Sequence, residues 1–322
     1  MIAFDTLELA DGVRIRVASE GEGPLVLMVH GFPESWYSWR HQMGPVAEAG
    51  FRAVAMDVRG YGGSSKPFEI EAYDLESLTT DIVQVIDRLS PDAPAVLIGH
   101  DWGAPQVWNT ALVHPDRVRA VAGLSVPYLG VPKASFSTLI EEVFTRRGKF
   151  FYQHYFQKSP QAEQDLEADP RDFLRRFYYA ISGDAPDGTW PNDKGVDATL
   201  LEGLPDPDPF PAWLTPADLD YYTAEFQRSG FRGPLNRYRN HDRDFRWLSQ
   251  FAGRRIAQPA LYVGGDRDLV LSMLGRGDLV AMMRAEMPDL RGAHLLPGCG
   301  HWTQQERPEA VNALLLDWLG SL

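Results

Sequence analysis

Gly99-His100-Asp101-Trp102-Gly103 joins a buried strand pattern to a helix pattern through a sharp turn. The apolar run Ala93-Pro94-Ala95-Val96-Leu97-Ile98 before it reads as a fully buried strand. Residues 104–113 after it read as a helix, with Pro105 tolerated in the first turn, where a missing N–H loses no helical partner. Strand, sharp glycine-flanked turn and helix form the setting of a nucleophile elbow. Its central position, where serine is usual, holds Asp101. A serine there makes acyl-enzymes from carbonyl substrates. A carboxylate is ionised at neutral pH without help from a base. It is suited to displacing a leaving group from saturated carbon, which leaves an alkyl ester on the protein. Taken alone, the five residues fit equally well an aspartate that caps the next helix.

Working outward, the N-terminal part alternates strand and helix patterns. Segments 6–9 and 13–18 flank Asp11-Gly12 and read as a hairpin. A buried strand at 25–29, a helix at about 39–49, a strand at 52–57 and a helix at about 75–89 follow. That last helix carries the apolar stripe Leu78, Ile82, Val85, Ile86 and Leu89. One more strand, 118–124, comes after the elbow helix. Continuous apolar strands separated by helices predict a mostly parallel sheet covered on both faces, an α/β fold. The rhythm breaks after Pro127 for roughly 110 residues of aromatic-rich helical patches and a turn-rich, proline-rich run at 182–216. It resumes with strands at 260–263 and 293–296 and a last helix at about 304–319. The expected organisation is an α/β core from 1–130 and 244–322, with residues 131–243 inserted as a helical lid.

Composition narrows the function. The 322 residues carry a net charge of −13, which repels nucleic acid and anionic membranes. No apolar run reaches the roughly 18 residues of a membrane span. One cysteine, Cys299, excludes an intrachain disulfide. The start lacks the basic and apolar regions of a secretory leader, so a cytoplasmic protein is expected. Nine Trp and sixteen Phe suit an aromatic-lined pocket. Glycine-rich phosphate loops and metal-binding His or Cys patterns are missing, and no cofactor or metal is expected. Oligomeric state is open, with a homodimer among the options.

A nucleophile needs partners. Among eight histidines, His30 and His100 sit at strand ends, where they serve turn backbone, and His41, His114, His154 and His241 fall in helical or lid segments. His301, in Gly298-Cys299-Gly300-His301-Trp302, follows the last strand, where parallel sheets build their sites. Gly265-Asp266-Arg267-Asp268 follows the strand at 260–263 and supplies an acid between nucleophile and histidine in chain order. Asp268 is the expected orienter, and Asp266 caps the turn. In His30-Gly31-Phe32-Pro33-Glu34, the Phe32 N–H is placed to face the elbow and pair with that of Trp102 as an oxyanion hole; a simple Gly-Pro turn fits the same residues. Phe32, Pro33 and Trp102 are also the expected substrate contacts.

These segments, together with Asp57-Val58-Arg59-Gly60-Tyr61-Gly62-Gly63-Ser64, resemble the α/β-hydrolases that use an aspartate nucleophile, among them epoxide hydrolases and dehalogenases. The resemblance spans the whole chain and implies the α/β-hydrolase fold. In the lid, Phe151-Tyr152-Gln153-His154-Tyr155-Phe156-Gln157 and 233–240 are similar to the two lid segments of soluble epoxide hydrolases, of the single-domain microbial type. That likeness places the family's ring-opening tyrosines at Tyr152 and Tyr238, although any one lid tyrosine taken alone reads as packing. It implies hydrolysis of a small apolar epoxide to a vicinal diol by Asp101, His301, Asp268, Tyr152 and Tyr238, without a cofactor. A strained ether leaves as an alkoxide and needs a proton donor, which a phenol supplies at neutral pH, whereas a halide does not. The alternatives are a dehalogenase with the same triad, with which the Trp102 indole is compatible but against which the lid tyrosine motifs argue, and a binding protein on a hydrolase scaffold.

Overall fold

A computed structural model describes residues 1–191, 193–273 and 277–322. Eight strands form one sheet: β1 (Ala3–Glu8), β2 (Arg14–Glu20), β3 (Leu25–Val29), β4 (Arg52–Met56), β5 (Ala95–His100), β6 (Val118–Leu124), β7 (Ala260–Gly265) and β8 (Leu290–Leu296). Their spatial order is β1-β2-β4-β3-β5-β6-β7-β8. The first hairpin pairs antiparallel, β2 runs antiparallel to β4, and every other pairing is parallel. This is an α/β-hydrolase fold: the alternating pattern predicted its mostly parallel sheet, and the resemblance implied the hydrolase arrangement.

Both faces of the sheet are covered, which explains the unbroken apolar strands. Val26 and Met28 on β3 point to one core with Val96, Ile98, Ala120 and Ala122. Helices α1 (Arg40–Glu48) and α14 (Pro308–Gly320) close it through Met43, Val46, Val311, Leu315 and Trp318. Leu25, Leu27 and Val29 point to the other core, closed by α2 (Leu75–Leu89) and α3 (Gly103–Val113). The α2 stripe read from the sequence is the buried face of that helix.

Between β6 and β7 the chain forms α4 (Phe136–Val143), α5 (Tyr152–Tyr155), α6 (Gln161–Ala168), α7 (Pro170–Ala180), α8 (Pro216–Ser229), α9 (Arg232–Tyr238) and α10 (His241–Leu248). After β7 come α11 (Leu269–Met273) and α12 (Leu279–Glu286), and after β8 comes α13 (Thr303–Glu306). The segment between β6 and β7 is tied to the core by defined bonds. Tyr178 Oη donates to the Pro33 carbonyl, the Trp302 indole donates to the Tyr178 carbonyl, and the His301 N–H donates to the Ile181 carbonyl.

Some boundaries differ from expectation. The elbow strand runs to His100, because Gly99 and His100 continue the parallel register with Gly123 and Leu124. The last helix is two helices, broken at Arg307 (φ −133°). Pro308 has no N–H to continue α13 and starts α14 instead. No helix among the described residues is long and apolar enough to cross a membrane.

Candidate active site

The elbow places Asp101 at the carboxyl end of β5 with φ +48°, a left-handed conformation that side chains rarely adopt. The turn is tight enough that a Cβ on Gly103 would lie 2.0 Å from the Val29 carbonyl oxygen. Close approach of β3 accounts for that glycine, and Asp101 does not cap α3, whose N-cap is Trp102 without a side-chain cap bond. The Phe32 N–H donates to Asp101 Oδ1 at 2.8 Å. Oδ2 faces His301 Nε2 at 3.3 Å. His301 sits in the loop after β8, and its Nδ1 lies 3.1 Å from Asp268 Oδ1. Asp268 follows β7 and accepts the Val270 N–H at 2.9 Å. Asp266 accepts the Gly298 N–H at 2.8 Å and so serves the turn. Trp102 stands at the N-cap of α3, where the partial positive charge of the helix end adds to its own N–H.

Charge sharpens the arrangement. Burial alone would strip the proton from His301. The Asp268 charge and the hydrogen bonds to Asp101 and Asp268 outweigh it and hold the imidazole pKa well above its ordinary value. Burial likewise works against the Asp268 carboxylate, but His301, Ser125 and the Val270 N–H lower its pKa. The ring is therefore an imidazolium between two carboxylates while Asp101 is free.

A second layer holds these groups. Glu34 is completely buried; its Oε2 accepts the Gly31 N–H at 2.9 Å and faces His100 Nδ1 at 2.8 Å. His100 Nε2 lies 2.7 Å from the His301 carbonyl oxygen. Both ring nitrogens of His100 thus face oxygen atoms. Burial opposes the Glu34 charge, yet His100 and the Gly31 N–H hold its pKa down at about 2. His30 is different: Nδ1 faces the Gly31 carbonyl and Nε2 accepts the Val58 N–H, a neutral ring, with burial lowering its pKa. Glu306 accepts the N–H groups of Gly183, Gly300 and Trp302, which pins the His301 loop against the segment after α7.

Phe32, Asp101, Tyr152, Phe177, Ile181, Trp190, Tyr238, Leu269, Val270, Met273 and His301 line one cavity. Tyr152 opens α5 and Tyr238 ends α9, and their rings meet edge to face with centroids 5.9 Å apart. Burial first, and then the Asp101 charge, push both phenols up, so both stay protonated at neutral pH. Gln153 Nε2 donates to Tyr152 Oη at 2.7 Å, which leaves the phenol proton free for another acceptor. Gln157 Nε2 donates to the Tyr238 carbonyl and joins the two helices. Two expected substrate contacts stand elsewhere. Pro33 is outside the lining and receives Tyr178. The Trp102 ring backs Tyr238 edge-on at 5.3 Å, with the Arg237 guanidinium 4.4 Å over its face.

The structure therefore brings Asp101, His301, Asp268, Phe32, Tyr152 and Tyr238 together. Sequence reasoning missed Ser125, Gln153 and Glu306, and it assigned no role to Glu34. Glu34 stood inside a motif that had already been quoted, and a carboxylate between apolar strand ends was its signal. Ser125 offered only its place one residue past β6.

An acid, a histidine and an elbow aspartate above the carboxyl ends of parallel strands define an α/β-hydrolase. The family model for the alpha/beta hydrolase fold matches residues 24–308. The chain is 42% identical to Epoxide hydrolase A of Mycobacterium tuberculosis, over 97% of this chain and 96% of the relative. It is 39% identical to Epoxide hydrolase B of the same species, with the same coverage. The solved structure of an epoxide hydrolase from an endophytic Streptomyces superposes with a TM-score of 0.92 at 43% identity, covering 99% of this chain and 95% of that one. The chain belongs to the α/β-hydrolase fold and, within it, to the epoxide hydrolases.

Proposed function

We propose that this enzyme converts apolar epoxides to vicinal diols in two half-reactions through an ester on Asp101, with residues 131–243 acting as the lid. The observation that carries the proposal is the convergence on one cavity of an elbow carboxylate, an acid-supported histidine and two protonated phenols. Asp101 Oδ2 attacks an epoxide carbon while Tyr152 and Tyr238 hydrogen-bond the oxygen and one of them transfers its proton. The C–O bond breaks and a hydroxyalkyl ester forms. Forming the ester removes the Asp101 charge, one of the two that keep His301 protonated. With that hold weakened, His301 gives up its proton and becomes the base for the second step. It takes a proton from water, the hydroxide adds to the Asp101 carbonyl carbon, and the Phe32 and Trp102 N–H groups hold the oxyanion at Oδ1. As the tetrahedral adduct collapses, the hydrogen of the added hydroxyl passes to Oδ2 and the diol leaves carrying that oxygen; the proton that His301 had released restores the tyrosine. The aromatic and aliphatic lining selects apolar substituents.

The test is His301→Gln. The variant is expected to be alkylated but to release diol very slowly, so its mass rises by one substrate and the adduct maps to the peptide holding Asp101. In heavy-oxygen water, the first-turnover diol of the unmodified enzyme should carry light oxygen from Asp101. First-turnover diol bearing solvent oxygen would mean that water opens the ring directly.

A further inference from the structure

We propose that Ser125 is a positioning residue that joins Asp268 to His301 and fixes which ring nitrogen is free to act; this rests on the covalent reading above. Among the described residues, only Asp101 and Ser125 have positive φ without being glycine. One is the candidate nucleophile. The other, at φ +68°, is fully buried at the carboxyl end of β6. The Val126 N–H donates back to the Leu124 carbonyl at 2.8 Å, so Ser125 is the centre of a γ-turn, and an uncommon one at this φ. Its backbone is held from both sides: its N–H donates to the Val263 carbonyl at 2.9 Å, and its own carbonyl accepts Tyr262 Oη at 2.9 Å. Such strain persists only where the surroundings impose it, and it concentrates at working sites.

The turn aims the hydroxyl into the triad. Ser125 Oγ lies 2.6 Å from Asp268 Oδ2 and 2.9 Å from His301 Nδ1, nearer to that nitrogen than Asp268 Oδ1 at 3.1 Å. Asp268 is an acceptor only, so the short contact to it needs the hydroxyl proton. Oγ then has only lone pairs to offer Nδ1, and Nδ1 must carry a proton. The Nδ1 proton is shared between Ser125 and Asp268, and the tautomer is set. When His301 loses a proton it loses the one on Nε2, which faces Asp101. Without the hydroxyl, Asp268 Oδ2 loses its only donor among the described residues and His301 loses its nearer acceptor, so both groups gain freedom to turn. Alkylation does not call on His301 as a base, whereas ester hydrolysis does. The two steps should therefore separate.

Two variants test this. Ser125→Gly removes the hydroxyl and accepts positive φ without strain, and Ser125→Ala removes the hydroxyl but keeps the Cβ. Rapid quench followed by intact mass should show the ester forming at close to the wild-type rate in both. Its hydrolysis should slow by about 10- to 100-fold, the range typical of losing a group that orients a working side chain. In nitrogen-15 spectra, the protonated Nδ1 signal of His301 should persist in the wild type and broaden or shift in Ser125→Gly. A merely structural serine would leave hydrolysis and the Nδ1 signal unchanged, or would slow both steps together; either result overturns the inference. His301→Gln serves as the reference. If it accumulates ester while both serine variants hydrolyse normally, only this inference fails. If it forms no ester, the covalent reading fails and takes this inference with it.

Discussion

Replacing the two cavity tyrosines by phenylalanine probes ring opening directly. Each change deletes one oxygen and leaves the ring, so the edge-to-face packing of Tyr152 on Tyr238 persists. Losing one donor to a developing oxyanion costs about 2.7–4 kcal/mol, or roughly 100- to 1,000-fold in rate. The two phenols serve one substrate oxygen from rings 5.9 Å apart, so their effects are coupled and do not simply add. The double variant should lie at least about 1,000-fold below wild type in alkylation. Stability should distinguish the single variants. Tyr152→Phe takes the acceptor from Gln153 Nε2 in a buried place where Gln153 Oε1 already lacks a partner, and this should cost about 1–3 kcal/mol. Tyr238→Phe leaves that amide untouched. Rapid-quench alkylation rates and urea unfolding provide the two measurements. A double variant that opens epoxides at the wild-type rate would refute the role of the phenols, whatever its stability.

Further outcomes follow from other contacts. At Gly31 a Cβ would lie 2.3 Å from Asp101 Oδ1, so Gly31→Ala should displace the nucleophile and lower kcat/KM by about 100-fold or more, with ester undetectable in rapid quench; normal turnover would show that the carboxylate position is not critical. Glu34→Gln breaks the buried contact with His100 Nδ1 and should lower stability at pH 7 by about 3–5 kcal/mol in urea unfolding. Because the Glu34 pKa is depressed to about 2, its contribution is complete above its ordinary value of 4.5 and fades as pH falls toward 2. The variant's stability should therefore change less with pH across that window, and parallel curves would contradict the buried pair. Ester hydrolysis should rise with pH and level off once His301 in the ester is neutral. Alkylation should stay flat through neutrality and fall only when the phenols ionise, because their pKa values are raised. Single-turnover rates from pH 5 to 10 check this, and hydrolysis that falls with rising pH would contradict His301 as base. Simple haloalkanes should release no halide in an ion-selective assay; steady halide release would favour the dehalogenase alternative.

Much of this site was legible in the residues because the chemistry sits where local pattern is strongest. A buried parallel strand announces itself by an unbroken apolar run, since helices cover both faces, and the turns after such strands are where an α/β sheet exposes side chains. Asp101, Asp268 and His301 each stand just past a strand, so periodicity and chain order sufficed to choose them. The tyrosines were different: any one of those between β6 and β7 reads as packing by itself, and only the resemblance picked two. Local pattern along the chain was enough for the alternation of elements, the elbow and the residue types available at the strand ends. Tertiary structure alone decided which of those residues meet. Glu34 and His100 are 66 positions apart and pair inside the protein, and Ser125 reaches Asp268 across 143 positions. Such contacts depend on how neighbouring strand ends align in the sheet, and no local period encodes that alignment. The proton on His301 Nδ1 follows from those meetings, because burial makes every donor and acceptor answer to its neighbours instead of to water.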